Sequence, residues 1–287
     1  MRVAVLNRGR DAFPGGDLVH IDSLTEAMKP LGVDRVYQPS ETLTGEFDLF
    51  HIHHVNLSWC RMNFEAIKRF PKIPYIVTTI FYPTENLGVS YREIREWLDG
   101  AAAVVAYSQR EEREIRERTL FSGQVDAVPP GVGKEFLHNA HDGWSQSRSG
   151  VLTVAARSGD KNCNLVEDCC RNLGLPYKQA IGVPRSELPQ WYREARVFVN
   201  ASGHESFGLT ILEALASDCR VLATKHSWGL EWLPGIMSID PQDERSLERA
   251  IEYAYKTENW WYLPNLRARF MSWELEADRM LKVYGAL

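Results

Sequence analysis

Hydrophobic and polar residues follow two alternating patterns along the chain. Short apolar runs such as RVAVL at 2–6 are typical of strands buried on both faces of a parallel sheet. Between these runs, apolar residues recur at helical spacing, as they do from Asp17 to Met28. The alternation predicts an α/β fold in which helices cover the sheets. Strands are predicted over residues 2–6, 33–37, 48–53, 74–79, 102–106, 125–128, 151–155, 177–181, 197–200 and 220–224, and helices over 17–28, 61–70, 91–98, 109–118, 165–173, 188–194, 209–217, 246–256 and 266–284.

The alternation is interrupted once. Pro129, Pro130 and Gly131 are strong breakers of regular structure, and the polar stretch 138–150 follows them. We therefore predict two domains, one over residues 1–129 and one over 130–265. We expect both to be Rossmann-like, with parallel sheets that face each other across a cleft. Open sheets of this class bind ligands beyond the carboxyl ends of their strands.

Composition narrows the functional classes. Hydrophobic residues make up 44% and charged residues 25% of the 287 residues, a balance typical of a folded protein with a substantial core. The net charge of −5 argues against nucleic acid as a partner. The start MRVAVLNRGR lacks the long apolar stretch of a leader, and the five cysteines include no CxxC pair. We therefore expect a cytoplasmic protein without disulfides or a zinc site.

The segment 197–213, VFVNASGHESFGLTILE, carries the most specific chemistry. It reads as a strand, a loop of small residues and a helix that opens near Gly208, and the amide groups at such a helix start suit a phosphate. Glu205 precedes the helix and Glu213 lies inside it, so two carboxylates flank the phosphate cradle. This layout suits a nucleotide sugar, in which a diphosphate lies between two groups of hydroxyls. An ordinary strand-loop-helix with surface glutamates has the same spacing.

The same segment resembles a known family, because ESFGLTILEAL is similar to the Glu-x7-Glu motif of retaining glycosyltransferase family 4. The resemblance implies a GT-B fold of two Rossmann-like domains, in which the closing helix 266–287 packs back on the first domain. Further segments agree with the family in their order along the chain: the glycine pair Gly15 and Gly16, DLFHIHH at 48–54, AAAVVAYSQ at 101–109, VPPGV at 128–132 and VLATKHSWGLEWLPG at 221–235.

The resemblance also implies roles for individual residues. Glu205 would contact hydroxyls of the donor sugar, and Glu213 would bind the ribose. Arg157 and Lys161 would pin the diphosphate, since two cations stabilise a leaving diphosphate without a metal. Taken alone, these cations also fit a solvated loop. Backbone amides between the two acids would face the sugar and the diphosphate, namely those of Ser206, Phe207, Gly208 and Leu209. A glycine pair, Gly15 and Gly16, would line the cleft from the first domain.

The sequence departs from the family at two positions. Ile80 stands where the family has a histidine near the reacting sugar, and the segment around Asp218 lacks a glycine that the family normally has. His51, His53 and His54 are candidates to replace the missing histidine. They are also candidates for a metal site, but no further ligand lies at a recognisable spacing, and we expect no metal.

By this resemblance the chain is a hexosyl-transferring enzyme that moves a sugar from a nucleotide-diphosphate sugar to an acceptor hydroxyl, with retention and without a cofactor or essential metal. The acceptor stays open among glycans, lipids and small molecules. Trp260 and Trp261 are either packing anchors or a peripheral membrane contact. Two alternatives remain: other chemistry on a nucleotide sugar, such as epimerisation, and a non-catalytic sugar-nucleotide binder.

Overall fold

The computed structural model describes residues 1–8, 15–83, 88–137, 148–155, 159–258, 260 and 263–287, which form two compact units. The first unit comprises Met1–Gly131 and Trp273–Leu287, and the second comprises Val132–Ser272. In the first unit, strands and helices alternate as β1 (Arg2–Leu6), α1 (Gly16–Met28), β2 (Asp34–Tyr37), β3 (Leu49–His53), α2 (Cys60–Ile67), β4 (Tyr75–Thr78), α3 (Tyr91–Asp99), β5 (Ala103–Ala106), α4 (Gln109–Thr119) and β6 (Asp126–Ala127).

The strands of the first unit form one sheet in the order β2-β1-β3-β4-β5-β6, and every pairing among them is parallel. β1 therefore lies between β2 and β3, so the strand order reverses beside it. The loops that follow β1 and β3 flank this reversal, which is where open parallel sheets bind ligands.

The second unit repeats this topology. Its sheet has the order β11-β10-β9-β7-β8, again with parallel pairings, and the reversal lies between β7 and β9. Its elements are β7 (Val151–Val154), α5 (Cys163–Asn172), β8 (Tyr177–Ala180), α6 (Leu188–Glu194), β9 (Val197–Asn200), α7 (Leu209–Ala216), β10 (Arg220–Thr224), β11 (Met237–Ile239), α8 (Glu244–Lys256) and α9 (Leu263–Arg269).

All the predicted strands are present, which confirms the α/β class with two parallel sheets. β11 was not predicted, because three residues at the edge of a sheet are too short to set a pattern. The predicted single helix over 266–284 is wrong: α9 ends at Arg269, and α10 (Trp273–Gly285) begins after a break. The break has a tertiary cause, since the amide of Val132 donates to the carbonyl of Met271 (2.8 Å) in an extended pairing. No described helix combines the length and the apolar character needed to cross a membrane.

The last helix completes the first unit. α10 packs on α1, and its residues Met280 and Val283 join Val3 and Val5 of β1 in one hydrophobic core. The division of the chain therefore falls after Gly131 and after Ser272, whereas the sequence placed it after residues 129 and 265. Burial of these apolar side chains is the main stabilising term of the unit.

One buried carboxylate joins the two ends of the first unit. Oε2 of Glu276, in the first turn of α10, accepts a hydrogen bond from the amide of Gly131 (2.9 Å). Its Oε1 lies 2.5 Å from Nε2 of His20 on α1, and the hydroxyl of Tyr107 lies 3.1 Å from Nδ1 of the same histidine. The point where the chain leaves the unit is thereby tied to the point where it returns.

Candidate functional site

Two loops of the second unit meet at the carboxyl edge of its sheet, beside the reversal of strand order. One follows β7 and contains the short 3-10 helix Gly159–Lys161, and the other follows β9. The amide of Gly203 donates to the carbonyl of Asp160 (2.8 Å), and Nδ2 of Asn162 donates to the carbonyl of Ala201 (2.9 Å). These two bonds fix the loops to each other.

The two loops, held together by these hydrogen bonds, bring Lys161 and Glu205, both predicted from sequence, close to each other. Nζ of Lys161 lies 3.0 Å from Oε2 of Glu205, and the same oxygen accepts from the hydroxyl of Ser202 (3.3 Å) and from Nδ2 of Asn200 (3.4 Å). The Lys161 and Glu205 side chains are only 22% and 16% exposed, so the pair is shielded from water and its attraction is strengthened. Within the described residues, no hydrogen bond reaches Oε1 of Glu205.

A tight turn connects Glu205 to α7. Gly208 has φ +91°, a conformation that side chains rarely adopt, and a Cβ there would lie 2.6 Å from Cδ1 of Ile211 and 3.0 Å from Cγ of Glu205. The hydroxyl of Ser227 donates to the carbonyl of Phe207 (2.8 Å), which pins the turn to the loop after β10. Ser206 and Phe207 are buried in this turn, and Leu209 is the first residue of α7.

Glu213 lies on α7, and protein groups already contact both of its carboxylate oxygens. Nη1 of Arg185 lies 2.5 Å from Oε1, and the hydroxyl of Tyr192 donates to Oε2 (3.1 Å). Glu213 is only 3% exposed, and this burial raises the pKa of its carboxyl, whereas Arg185 and Tyr192 lower it. Burial, followed by the charge of Glu213, holds the pKa of the Tyr192 phenol well above its ordinary value.

The sequence did not identify Arg185, Tyr192, Asn200 or Ser202 as site residues. Asn200 ends β9 and Ser202 follows it, so both lie at the strand end where ligand contacts concentrate. Arg185 lies in the loop after β8, so its position after a strand could likewise have indicated a ligand contact. Tyr192 has no such signal, because it points from α6 into the interior, where it is fully buried.

The other predicted site residues are not part of this cluster. Arg157 lies outside the described residues. Gly15 and Gly16 belong to the first unit, where Gly15 precedes α1 and Gly16 is its first residue. A Cβ at Gly15 would lie 2.3 Å from the guanidinium of Arg8 and 2.6 Å from Oδ1 of Asp17, so a side chain there would displace the ion pair at this helix start.

Two of the candidate histidines are interior groups. His51 and His53 lie on one face of β3, as the alternation predicted, and Nη2 of Arg35 lies 3.3 Å and 3.1 Å from their rings. Burial lowers the pKa of both histidines well below the usual value, and Arg35 lowers it further. A guanidinium beside both rings repels a metal cation. Among the described residues, no group of three or more histidines, cysteines or acids is placed to hold a metal ion.

His54 and Ile80 lie at the carboxyl ends of β3 and β4, and both have left-handed backbones, with φ values of 83° and 42°. Such values are strained for a β-branched residue such as Ile80. The amide of Phe81 and the hydroxyl of Thr79 both donate to Oε1 of buried Glu111, each at 2.7 Å, and thereby hold the segment around Ile80. Glu111 is fully buried although it lies on the highly charged helix α4.

Two further sequence observations have local explanations. Asp218, near which the family normally has a glycine, has φ 61°, and its carboxylate forms an ion pair with Arg269. A glycine would suit such a left-handed backbone, which an aspartate adopts here. Trp260 packs against the core of the second unit and lies near Arg220, which agrees with a packing anchor; Trp261 lies outside the described residues.

Most of the second unit matches a known family model. Residues 133–257 match the family model described as "Glycosyl transferases group 1". A probable sucrose-phosphate synthase 3 of Arabidopsis thaliana is 27% identical over 159 residues, which cover 52% of this chain and 13% of that protein. The chain therefore spans about an eighth of the length of this curated relative.

Solved structures share the fold over the whole chain. A sucrose-phosphate synthase from Thermosynechococcus elongatus superposes with a TM-score of 0.78 and 16% identity, covering 99% of this chain and 98% of the other. The Anabaena protein HepE, in complex with UDP and glucose, superposes with a TM-score of 0.76 and 13% identity, and the match covers 100% of each chain. The chain thus has the GT-B fold, which confirms the fold that the resemblance to family 4 glycosyltransferases implied.

Proposed function

Residues 133–257 match the family model of the group 1 glycosyl transferases, and from this match we propose that the chain transfers a hexose from a nucleotide-diphosphate sugar to an acceptor hydroxyl. The observation that carries the proposal is the 3.0 Å pair of Lys161 and Glu205 on two interlocked loops at the reversal of strand order. A cation for a diphosphate and an acid for sugar hydroxyls are thereby adjacent. The structures of HepE with UDP, glucose and UDP-glucose make a uridine donor the first candidate.

Each residue of the cluster has a distinct task in this proposal. Lys161 neutralises the leaving diphosphate, with Arg157 as the second cation. Glu205 accepts hydrogen bonds from hydroxyls of the donor sugar through Oε1, and Glu213 accepts them from the ribose. The amides from Ser206 to Leu209 meet the phosphates at the start of α7.

Retention and independence of a metal belong to the same proposal. The leaving phosphate helps to take the proton of the acceptor on the face of the sugar from which it departs, so no covalent nucleophile is needed. The chain mainly positions the donor and stabilises developing negative charge, for which an ammonium and a guanidinium suffice. Transfer from UDP-α-glucose should therefore give an α-linked product and continue in EDTA, which NMR of the product checks.

A non-catalytic donor-binding protein is the second candidate, and one observation favours it. Ile80, at the family's histidine position, is apolar and only 7% exposed, so it supplies no hydrogen bond to a reacting sugar. Transfer of radiolabelled glucose from UDP-glucose to a panel of sugars, sugar phosphates and lipids separates the candidates. Only a transferase forms an acceptor-linked product, while an epimerase changes the sugar on the nucleotide.

The variant Lys161→Met tests the role of the cluster. We expect it to slow transfer by about a hundredfold or more, the loss typical of one charge-stabilising group. Lys178→Met is the matched control, because Lys178 forms a similar pair with Glu194 (3.2 Å) but is 64% exposed on β8. Equal activity of Lys161→Met and the wild-type chain would refute the role of Lys161. No binding of any nucleotide sugar by the wild-type chain would refute the function.

A further inference from the structure

The carboxylate of Glu213 is held from two sides by residues for which the sequence gave no role. We propose that Arg185 is a positioning residue of the donor site, which keeps Glu213 ionised and aimed at the ribose hydroxyls of the nucleotide. The inference rests on the proposed function, because it assigns a partner to the acid that binds the ribose. It adds a residue of the loop after β8 to a site otherwise built from the loops after β7 and β9.

Burial differs sharply between the members of this cluster. The Glu213 side chain is 4% exposed, Tyr192 is fully buried, and the Arg185 side chain is 31% exposed. Tyr192 therefore reaches Oε2 from the interior, whereas Arg185 reaches Oε1 from the side that is open to solvent. A ligand approaching Glu213 from solvent meets the guanidinium first.

A buried carboxylate needs such a partner. Removal from water favours the neutral acid, and a nearby guanidinium favours the ion. Among the described residues, the titratable groups that act on Glu213 are Arg185, Tyr192 and Glu135, and Arg185 is the one cation of these three. Burial raises the pKa of Glu213, and Arg185 is the largest influence that lowers it.

The two existing hydrogen bonds do not use all the lone pairs of Glu213. An ionised carboxylate offers about four lone-pair positions. Among the described residues, Arg185 and Tyr192 each donate to one of these, on different oxygens, so in the proposed complex one position on each oxygen accepts from a pair of neighbouring hydroxyls. Adjacent hydroxyls of a ribose suit this arrangement, and they bind an ionised acceptor more strongly than a neutral one.

Arg185 is itself restrained, as a positioning residue must be. Its guanidinium carbon lies 4.9 Å from the centre of the Phe136 ring, and its Nη2 lies 3.9 Å from Oε1 of Glu135. The cation–π contact and the second acid limit the positions that the guanidinium can take. Arg185 therefore stays beside Glu213 when the ribose arrives, rather than leaving to make room for it.

The test is the affinity for UDP, ADP and GDP, measured by calorimetry from pH 6 to pH 9.5 with the wild-type chain and three variants. In Arg185→Met, the pKa of Glu213 should rise further because the cation that lowers it is lost, so binding of the preferred nucleotide should weaken by about tenfold at pH 7 and recover as the pH rises. Arg185→Lys keeps the charge and should restore most of the affinity at pH 7. Arg171→Met is the control, because Arg171 is an ion-paired but exposed arginine on α5.

Three results would overturn the inference. Tighter binding by Arg185→Met would mean that Arg185 competes with the ribose. A loss of equal size at every pH, without rescue by lysine, would mean that Arg185 only supports the fold, and circular dichroism detects a variant that has unfolded. If the wild-type chain bound none of the three nucleotides, the proposed function would fail, and this inference with it.

Discussion

Replacing Glu276 by alanine tests whether one buried carboxylate fastens the last helix to the first unit. The substitution removes the acceptor of the Gly131 amide and the partner of His20 Nε2. Both side chains of the His20–Glu276 pair are at most 3% exposed, so water does not replace the lost contacts. The surroundings stay apolar, because α10 packs its hydrophobic side on the same core.

The expected cost follows from these two orphaned groups. A buried donor that loses its acceptor costs about 1–3 kcal/mol, and the substitution orphans two groups, the amide of Gly131 and Nε2 of His20. We therefore expect the free energy of unfolding of the first unit to fall by about 2–6 kcal/mol, a large share of the 5–15 kcal/mol typical of a domain. For a unit of about 150 residues, this lowers the melting temperature by about 10 °C.

Hydrogen–deuterium exchange read by mass spectrometry locates the effect. Peptides from α10 and α1 should exchange faster in Glu276→Ala, whereas peptides from α5 and α8 in the second unit should keep their rates. Glu276→Gln is the matched variant, since its amide still accepts from Gly131 and still reaches His20, and it should lose much less. Asp278→Asn changes an exposed acid on the same helix and should match the wild-type chain.

An unchanged melting temperature and unchanged exchange of α10 in Glu276→Ala would refute this reasoning. The last helix would then be held by its apolar contacts alone, and the carboxylate would be a minor feature of the interior.

Three further outcomes are expected. Leu120→Gly should raise the unfolding free energy by about 0.5–1 kcal/mol in denaturant titrations. The reason is that Leu120 is 69% exposed and has φ 58° at the end of α4, a conformation that favours glycine. Leu120→Ala should bring no gain in unfolding free energy. Gly208→Ala should lower the free energy of unfolding by about 1–3 kcal/mol and weaken UDP binding. Gly203→Ala, whose Cβ meets nothing closer than 3.7 Å, should behave as wild type. Burial lowers the pKa of His51 and His53 well below 6.5 and that of His54 to about 4, so these rings stay neutral when folded but gain protons when unfolded. Stability should therefore fall by about 1.4 kcal/mol per pH unit for each histidine as the pH drops from 6.5 to 5, and a His54→Asn variant with an unchanged slope would contradict this.

The predictions from sequence succeeded where local pattern decides the structure. Apolar runs such as 197–200 became strands because both faces of a parallel sheet are covered. The helix over 188–194 was also placed correctly. The break at 270–272 was missed because it depends on a pairing with Val132, which is distant in sequence and carries no local signal. The order of the strands in each sheet could not be predicted either, because the periodicity of apolar residues does not say which strands pair.

The candidate site divides in the same way. Glu205 and Lys161 were identified through the resemblance to the family, and each also follows a strand, where the sheet brings strand ends to one edge. Their contact at 3.0 Å depends on the hydrogen bonds of Asn162 and Gly203 that connect the two loops. The spacing of residues along the sequence does not predict these bonds. The pairing of Arg185 with Glu213 joins residues 28 positions apart through the fold alone.

α10 follows the second unit in sequence, and this order also governs events at the ribosome. Residues 1–131 emerge before the second unit, yet the helix that covers part of their sheet is made only after that unit. At typical elongation rates of about 5–20 residues per second, the uncovered apolar strip on the nascent sheet waits for about 7 to 30 s. During that interval a chaperone has time to shield it, and the second unit has time to fold before the first is sealed.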